Sequence, residues 1–317
     1  MTYKKPTPKK ELYDLYWRFA AERQAILDRR LQGEAYPWTE DPILQEYKFC
    51  NAYRAADRIS QYLIRDIQYA GSDVPLEDLV FQTIAFRFFS KSETWEHLKN
   101  YLGVMPSIHH LESGQFEKAL QSARDNLGVI YTSAFILCAN DAFKKDQKHL
   151  NHVALFEKMF VTDKVQHKIL AAESLEEVFN ILRTYPLIGN FMAYQLAIDL
   201  NYSRAVNFSE NDFVKAGPGA LRGIQKVFSD LGTYTPEDVI MMMVENQERE
   251  FKRLSLNFDG LQGRPLHAID CQNLFCEFDK YLRVKRPEIK SARSRIKTRY
   301  KKGEEVKSLF FPPKWSS

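Results

Sequence analysis

Apolar residues recur at helical spacing along almost the whole chain. Leu12, Leu15, Tyr16, Phe19, Ile26 and Leu27 fall at i, i+3 and i+4, and Gly33 follows as a stop. Residues 35–42 read as a loop with two prolines. The spacing then predicts one long helix over 43–69, with Leu44, Tyr47, Phe49, Tyr53, Ala56, Ile59, Ser60 and Leu63 inward, broken by Gly71-Ser72-Asp73. Further helices are predicted over 75–90, 94–102, 115–127, 132–142, 148–162, 164–172, 175–184, 188–200, 221–231, 236–257 and 268–285. Alternating patterns are scarce, and 204–208 is the one short strand candidate. The expected fold is all-α. No internal repeat and no Pro/Ser/Gly-rich linker interrupts it. Residues 1–285 are expected to form one helical catalytic domain with room for two lobes, and 286–317 a basic arm.

Charge sharpens that division. The 317 residues carry a net charge of +4, which looks bland. Residues 283–317, however, hold 12 Lys/Arg against 3 Asp/Glu, a net of +9, and leave a slightly acidic body. Such polarity suits an anionic polymer, with nucleic acid first. Hydrophobic residues at 44% suffice for a core and exclude global disorder. Four cysteines, Cys50, Cys138, Cys271 and Cys276, make no disulfide framework and point to a reducing, cytoplasmic setting. The basic N-terminus lacks an apolar stretch behind it, against a signal peptide, and no run is long and apolar enough to span a membrane.

The most informative stretch starts at Leu182-Arg183-Thr184-Tyr185-Pro186-Leu187-Ile188-Gly189 and continues Asn190-Phe191-Met192-Ala193-Tyr194-Gln195. It resembles the helix-hairpin-helix of the DNA glycosylase superfamily, whose turn aims backbone N–H groups at a DNA phosphate. Leu187 stands where that pattern usually has its first glycine. A catalytic Asp follows such a hairpin by about twenty residues in that superfamily, and Asp212 lies 23 residues after Gly189. The same segment also reads as an ordinary helical hairpin with an N-capping Asp. Next comes Lys215-Ala216-Gly217-Pro218-Gly219-Ala220-Leu221-Arg222, a glycine-rich helix entry flanked by cations. It would suit a diphosphate, or serve simply to start a helix. No Walker A sequence occurs, so a kinase reading lacks its phosphate cradle.

Two other clusters stand out. Arg54, Asp57 and Arg58 share one face if 43–69 is helical, and a carboxylate between two guanidiniums stays ionised as a base or orients Arg for phosphate. Solvated ion pairs are the plainer reading. Asp270, Asn273, Glu277 and Lys280 form a polar stripe at helical spacing, which by itself reads as the wet side of a helix. His267, Cys271 and Cys276 fit no common zinc spacing, and no Ser/His/Asp set can be assembled. In the arm, Arg293, Arg295, Lys297, Arg299, Lys301 and Lys302 would raise affinity for a polyanion and make it salt-sensitive.

Pro37-Trp38-Thr39 with Asp41-Pro42, Phe49-Cys50-Asn51 with Tyr53-Arg54 and Asp57-Arg58, Arg87-Phe88-Phe89, Ile188-Gly189, Asn211-Asp212-Phe213-Val214, Gly217-Pro218-Gly219-Ala220 and Cys276-Glu277-Phe278-Asp279-Lys280-Tyr281 together resemble one family. It is the α-glutamyl/putrescinyl-thymine pyrophosphorylase-like family, the helical domain of 5-hydroxymethyluracil DNA kinases. The resemblance covers roughly 15–285. It implies a glycosylase-like helical fold from bacteriophages that decorate thymine in DNA. Some members carry a P-loop kinase; stand-alone members act as amino acid:DNA transferases, and the missing kinase motif favours that branch here. The expected activity is displacement of pyrophosphate from 5-(pyrophosphoryloxymethyl)uracil in double-stranded DNA by a free amino acid such as glycine. Asp57, Asp212 and Glu277 are the expected bases. Asn51 and Gln195 would read the pyrimidine, while Arg54, Arg58, Arg87, Lys215, Gly217, Gly219, Arg222 and Lys280 would hold pyrophosphate. Gly189, Asn190 and the arm would grip DNA, and Mg²⁺ would assist the leaving group. A DNA glycosylase and a DNA-binding module without chemistry are the alternatives.

Overall fold

The computed structural model describes residues 4–132, 142–291, 295–296, 298–303 and 308–316. Cys138, Arg293, Lys297 and nearly all of the expected 132–142 helix lie outside them. In chain order the regular elements are β1 (Thr7–Pro8), α1 (Lys10–Leu31), α2 (Pro42–Glu46), α3 (Arg58–Tyr62), α4 (Leu76–Phe89), α5 (Ser92–Leu102), α6 (Ile108–Glu112), α7 (Gln115–Leu127), α8 (Lys148–Phe156), α9 (Val165–Leu170), α10 (Leu175–Leu182), α11 (Asn190–Tyr202), α12 (Pro218–Val227), β2 (Phe228–Asp230), α13 (Pro236–Arg253) and α14 (Ala268–Lys285). The protein is mostly helical. The chain divides into two compact units, Met1–Asp57 with Phe213–Leu309, and Arg58–Asp212 with Phe310–Ser317.

The first unit is built on α1, α12, α13 and α14. The apolar face of α1 is buried through Leu12, Tyr16, Phe19, Ala20, Ile26 and Leu27, as its spacing requires. Tyr16 meets Phe275 at 4.6 Å between ring centres, and Trp17 meets Phe251 edge-on at 5.1 Å. Helices α12 and α14 approach closely because two glycines permit it. A Cβ on Gly219 would stand 2.2 Å from Cys276 Sγ, and one on Gly223 would stand 2.2 Å from the Phe275 carbonyl oxygen. Thr235 and Asp238 cap α13 reciprocally, with Pro236 in its first turn. The one sheet among the described residues pairs β1 with β2 antiparallel. The expected strand at 204–208 does not form; residues Phe228–Asp230 take that role, as β1 lies alongside them.

The second unit centres on α4, which is buried from Leu79 to Phe89 on all sides. Phe81 packs edge-on against Phe116, Phe156 and Phe160. Helices α10 and α11 form the expected helical hairpin. Its turn places Leu187 at φ 70°, the left-handed region that glycine favours, so the backbone keeps a glycine's geometry with a leucine. Here the C-terminal segment is held by Gln61, whose amide nitrogen donates to the Phe310 carbonyl and whose amide oxygen accepts from the Phe310 N–H.

The predicted long helix over 43–69 is interrupted: α2 ends at Glu46, and helical backbone resumes only at Arg58, continuing to Gln68. Asp41 caps α2 by accepting from the Ile43 and Leu44 N–H groups, and α2 ends after five residues. At Tyr47 the chain turns extended and bridges Arg299 of the C-terminal segment. The C-terminal segment is tied down there: Lys48 N–H donates to the Thr298 carbonyl, and Tyr300 N–H to the Glu46 carbonyl. The Tyr300 ring lies parallel to Tyr36 at 6.2 Å and edge-on to Trp38 at 6.3 Å.

Candidate active site

Residues 48–57 lack a helical ladder, so their backbone groups need other partners. Charged side chains supply them. The Arg23 guanidinium donates to the Cys50 carbonyl at 3.0 Å and the Phe49 carbonyl at 3.3 Å. Lys280 donates to the Lys48 carbonyl at 2.8 Å. Glu277 accepts from the Cys50 N–H at 2.8 Å, and Asp270 from the Arg54 N–H at 2.9 Å. Asp57 accepts from the Asn51 N–H at 2.8 Å, while the Asn51 side chain donates to the Ala56 carbonyl at 2.8 Å. The loop is therefore cradled by α1 on one side and α14 on the other. The stripe Asp270, Glu277 and Lys280 is the inner support of this loop rather than a wet surface.

Arg54, Asp57 and Arg58 consequently share no helix face. Arg54 sits in a single 3₁₀ turn, Asp57 ends it, and Arg58 opens α3 in the second unit, exposed. The guanidiniums acting on Asp57 are Arg54 and Arg23. Both favour its charged form. Burial dominates, and with the repulsion of Glu277 it outweighs the Asn51 N–H bond and both guanidiniums, so the Asp57 pKa is pushed up to about 6. That value suits a general base near neutral pH. Burial works against the charge on Lys280, but its ion pair with Glu277 at 2.6 Å wins and raises its pKa. The Cys276 thiol is held protonated, with a pKa of about 11, chiefly by burial and then by the charge of Glu277.

Next to this loop the glycine-rich entry to α12 is closed by protein. Gly217 N–H donates to Gln272 Oε1 at 3.0 Å, and Gly219 is the packing glycine against Cys276. Lys215 pairs with Glu237 at 2.8 Å. Asp279, with a side chain fully buried, gathers Arg222 at 3.1 Å, Lys226 at 2.8 Å and Arg283 at 2.6 Å. The arm cations Arg295, Arg299, Lys301 and Lys302 are exposed.

In the second unit, Arg87, expected as a pyrophosphate ligand, is buried and gripped in a bidentate pair by Asp199, whose side chain is fully buried. Gln195 is buried on α11. Gly189 and Asn190 are exposed at the start of α11, and Asp212 is exposed in a turn closed by its N–H on the Ser209 carbonyl.

A family model described as "5-hmdU DNA kinase, helical domain" matches residues 10–291. The chain belongs to this family. A curated relative, the 5-hmdU DNA kinase of Bacillus phage SP10, is 28% identical over 295 residues, which is 87% of this chain and 46% of that protein. The chain thus spans about half the length of that relative. No solved structure matches it.

Of the sequence motifs, those around Asn51, Arg54, Asp57, Glu277 and Lys280 are brought together. Two supporting residues escaped sequence reading. Arg23 carries a usable signal, since it stands on the apolar face of α1, four residues after Phe19 and four before Leu27. Asp199 carries the same signal on the uniformly buried α11. Among the described residues no group of three or more His, Cys, Asp or Glu side chains is placed to hold a metal ion. No described helix is long and apolar enough to cross a membrane.

Proposed function

We propose that the chain is a thymine-hypermodification enzyme, an amino acid:DNA transferase acting on 5-(pyrophosphoryloxymethyl)uracil. The observation that carries this reading is Asp57. A carboxyl with a pKa near 6, between guanidiniums and beside an amide, suits deprotonation of an ammonium next to an anionic leaving group. The amine loses a proton to Asp57, and its nitrogen attacks the exocyclic methylene. A C–N bond forms, the C–O bond breaks, and pyrophosphate leaves with the electron pair. Arg54, Lys280, Lys215 and Arg222 serve the leaving group electrostatically. Asn51 reads a base flipped from the duplex. The α10–α11 turn at Gly189 and Asn190 takes a DNA phosphate as a glycosylase-like helix-hairpin-helix does, and the arm adds salt-sensitive affinity. Asp212 and Glu277 are the secondary carboxylates, Glu277 acting through Lys280.

Family membership supports a modified uracil in DNA as the substrate class. The test is mass analysis of nucleosides from DNA bearing the pyrophosphorylated base, incubated with protein and glycine. A glycine-dependent mass gain with release of pyrophosphate is expected. Free base or abasic sites would mark a glycosylase, and binding without product a DNA-binding module; either result overturns the reading.

A further inference from the structure

Where α14 packs on α12, one carboxylate answers three cations. The Asp279 side chain is fully buried and pairs with Arg222 at 3.1 Å and Lys226 at 2.8 Å, both on α12, and with Arg283 on α14 at 2.6 Å. Burial works against the charge on Asp279, but bonds from Lys226 and Arg283 win and hold its pKa below the ordinary value, so it stays ionised. Among the described residues the three cations pair with no other carboxylate. Their remaining contacts are carbonyl oxygens, of Asp279 itself for Lys226 and of Arg295 for Arg283, each at 3.4 Å. Carbonyls bring dipoles and no charge. The side chains of Lys226 and Arg283 are only 7% and 8% exposed, so two positive charges stand without a counter-charge where burial makes that costly. Acceptors are short as well, since Arg283 Nε is buried with no hydrogen-bond partner among the described residues.

Arg222 is the way into this cluster. Its side chain is 27% exposed and is held through Nε by Asp279. Its two terminal nitrogens donate to no described residue. A guanidinium pinned at Nε presents its other donors in a fixed direction, which suits the oxygens of a tetrahedral anion. The site adjoins the candidate active site. The Cys276 thiol feels the charges of both Lys280 and Arg222, so both cations lie close to that one group. The close approach of α12 to α14 at Gly219 and Gly223 is what lets Arg222 reach Asp279.

We propose that Arg222, with the charges of Lys226 and Arg283 behind it, binds a phosphate group. Two sources share that chemistry, the pyrophosphate leaving group and a phosphate of the DNA backbone. Naming the leaving group rests on the transferase reading; the phosphate site does not.

The test is calorimetric titration of the full chain with sodium pyrophosphate and, separately, with an unmodified DNA duplex, for wild type, Arg222→Gln and Arg249→Gln. Arg249 has a side chain 67% exposed on α13, and its replacement removes the same charge elsewhere on this unit. Saturable binding of at least one probe is expected for wild type. It should weaken about tenfold or more in Arg222→Gln and less than about twofold in Arg249→Gln. A loss confined to pyrophosphate assigns the leaving group, a loss confined to the duplex assigns a backbone phosphate, and a loss of both assigns one position that takes either. Thermal melting gives a second measure: the bound probe should raise the wild-type Tm above that in chloride at matched ionic strength, and raise it less in Arg222→Gln. Wild type that binds neither probe, Arg222→Gln with wild-type affinity for both, or an equal loss in Arg249→Gln overturns the proposal. The two proposals fail separately. Pyrophosphate held through Arg222 without transfer of glycine to DNA defeats the transferase reading alone. Transfer by Arg222→Gln with wild-type KM and wild-type affinity for both probes defeats the phosphate site alone.

Discussion

Replacing Asp57 by asparagine makes a pH-dependent change in stability whose sign follows from burial. Folded Asp57 keeps its proton up to about pH 6, whereas the ordinary aspartate value is 3.8. Between these values the folded state binds the extra proton. The contribution is fully present below the unfolded pKa and is lost as pH rises through the folded one. At about 1.36 kcal/mol per unit, the shift corresponds to about 3 kcal/mol. Since pH 4 lies just above the unfolded pKa, the span from pH 4 to pH 7 covers most but not all of this, and about 2 kcal/mol is the working figure. Wild type minus Asp57→Asn should therefore move by about 2 kcal/mol against wild type between about pH 4 and pH 7. Urea unfolding at both pH values, fitted with a common slope, measures this. A difference independent of pH, or one that moves in favour of wild type, refutes the reasoning. Under the proposed chemistry the same variant loses turnover, and wild-type kcat/KM rises through about pH 6.

The close contact of α12 with α14 predicts an asymmetry between two glycines. Gly219→Ala collides worst with Cys276 Sγ, so Cys276→Ala should recover part of its loss; Gly223→Ala meets the Phe275 backbone and no side-chain change should rescue it, as thermal melts of the single variants and the double mutant will tell. Asp279→Ala strands Lys226 and Arg283, both nearly buried, and should cost about 3–5 kcal/mol in denaturant titration. Arg87→Met alone leaves the buried Asp199 uncompensated and should cost about 3 kcal/mol or more, whereas Arg87→Met with Asp199→Leu should cost less than the two single losses added together; additive losses would deny their coupling.

Elements whose partners are local were legible in the sequence. Helices α1, α13 and α14 follow from an apolar stripe and nearby caps, and α14 runs from Ala268 to Lys285 as its spacing predicts. Residues 48–57 were not legible, because periodicity assumes that backbone groups bond within the segment. Here they bond to Glu277, Lys280 and Asp270, more than two hundred residues away. The motifs around Asp57 and Glu277 were visible as residue types, but the pKa of Asp57 depends on a burial that spacing cannot show. The glycines of α12 stayed open between two readings for a related reason. A glycine beside a phosphate and a glycine beside another helix look alike until the neighbour is known, and here the neighbour is Cys276.

The division of the chain bears on how it is made. The first unit joins Met1–Asp57 to Phe213–Leu309, with Arg58–Asp212 lying between them in the chain. During synthesis α1 leaves the ribosome long before α14, whose Phe275 packs on Tyr16. The apolar face of α1 must wait through the production of some 240 intervening residues, roughly ten to fifty seconds at typical rates of synthesis. Meanwhile the second unit becomes available as one nearly uninterrupted segment and can fold first. Destabilising α4 should then leave the apolar surface of the second unit exposed during synthesis as well and lower soluble yield beyond the loss of equilibrium stability. Damage to α14 should instead show as a late failure, after most of the chain has been made.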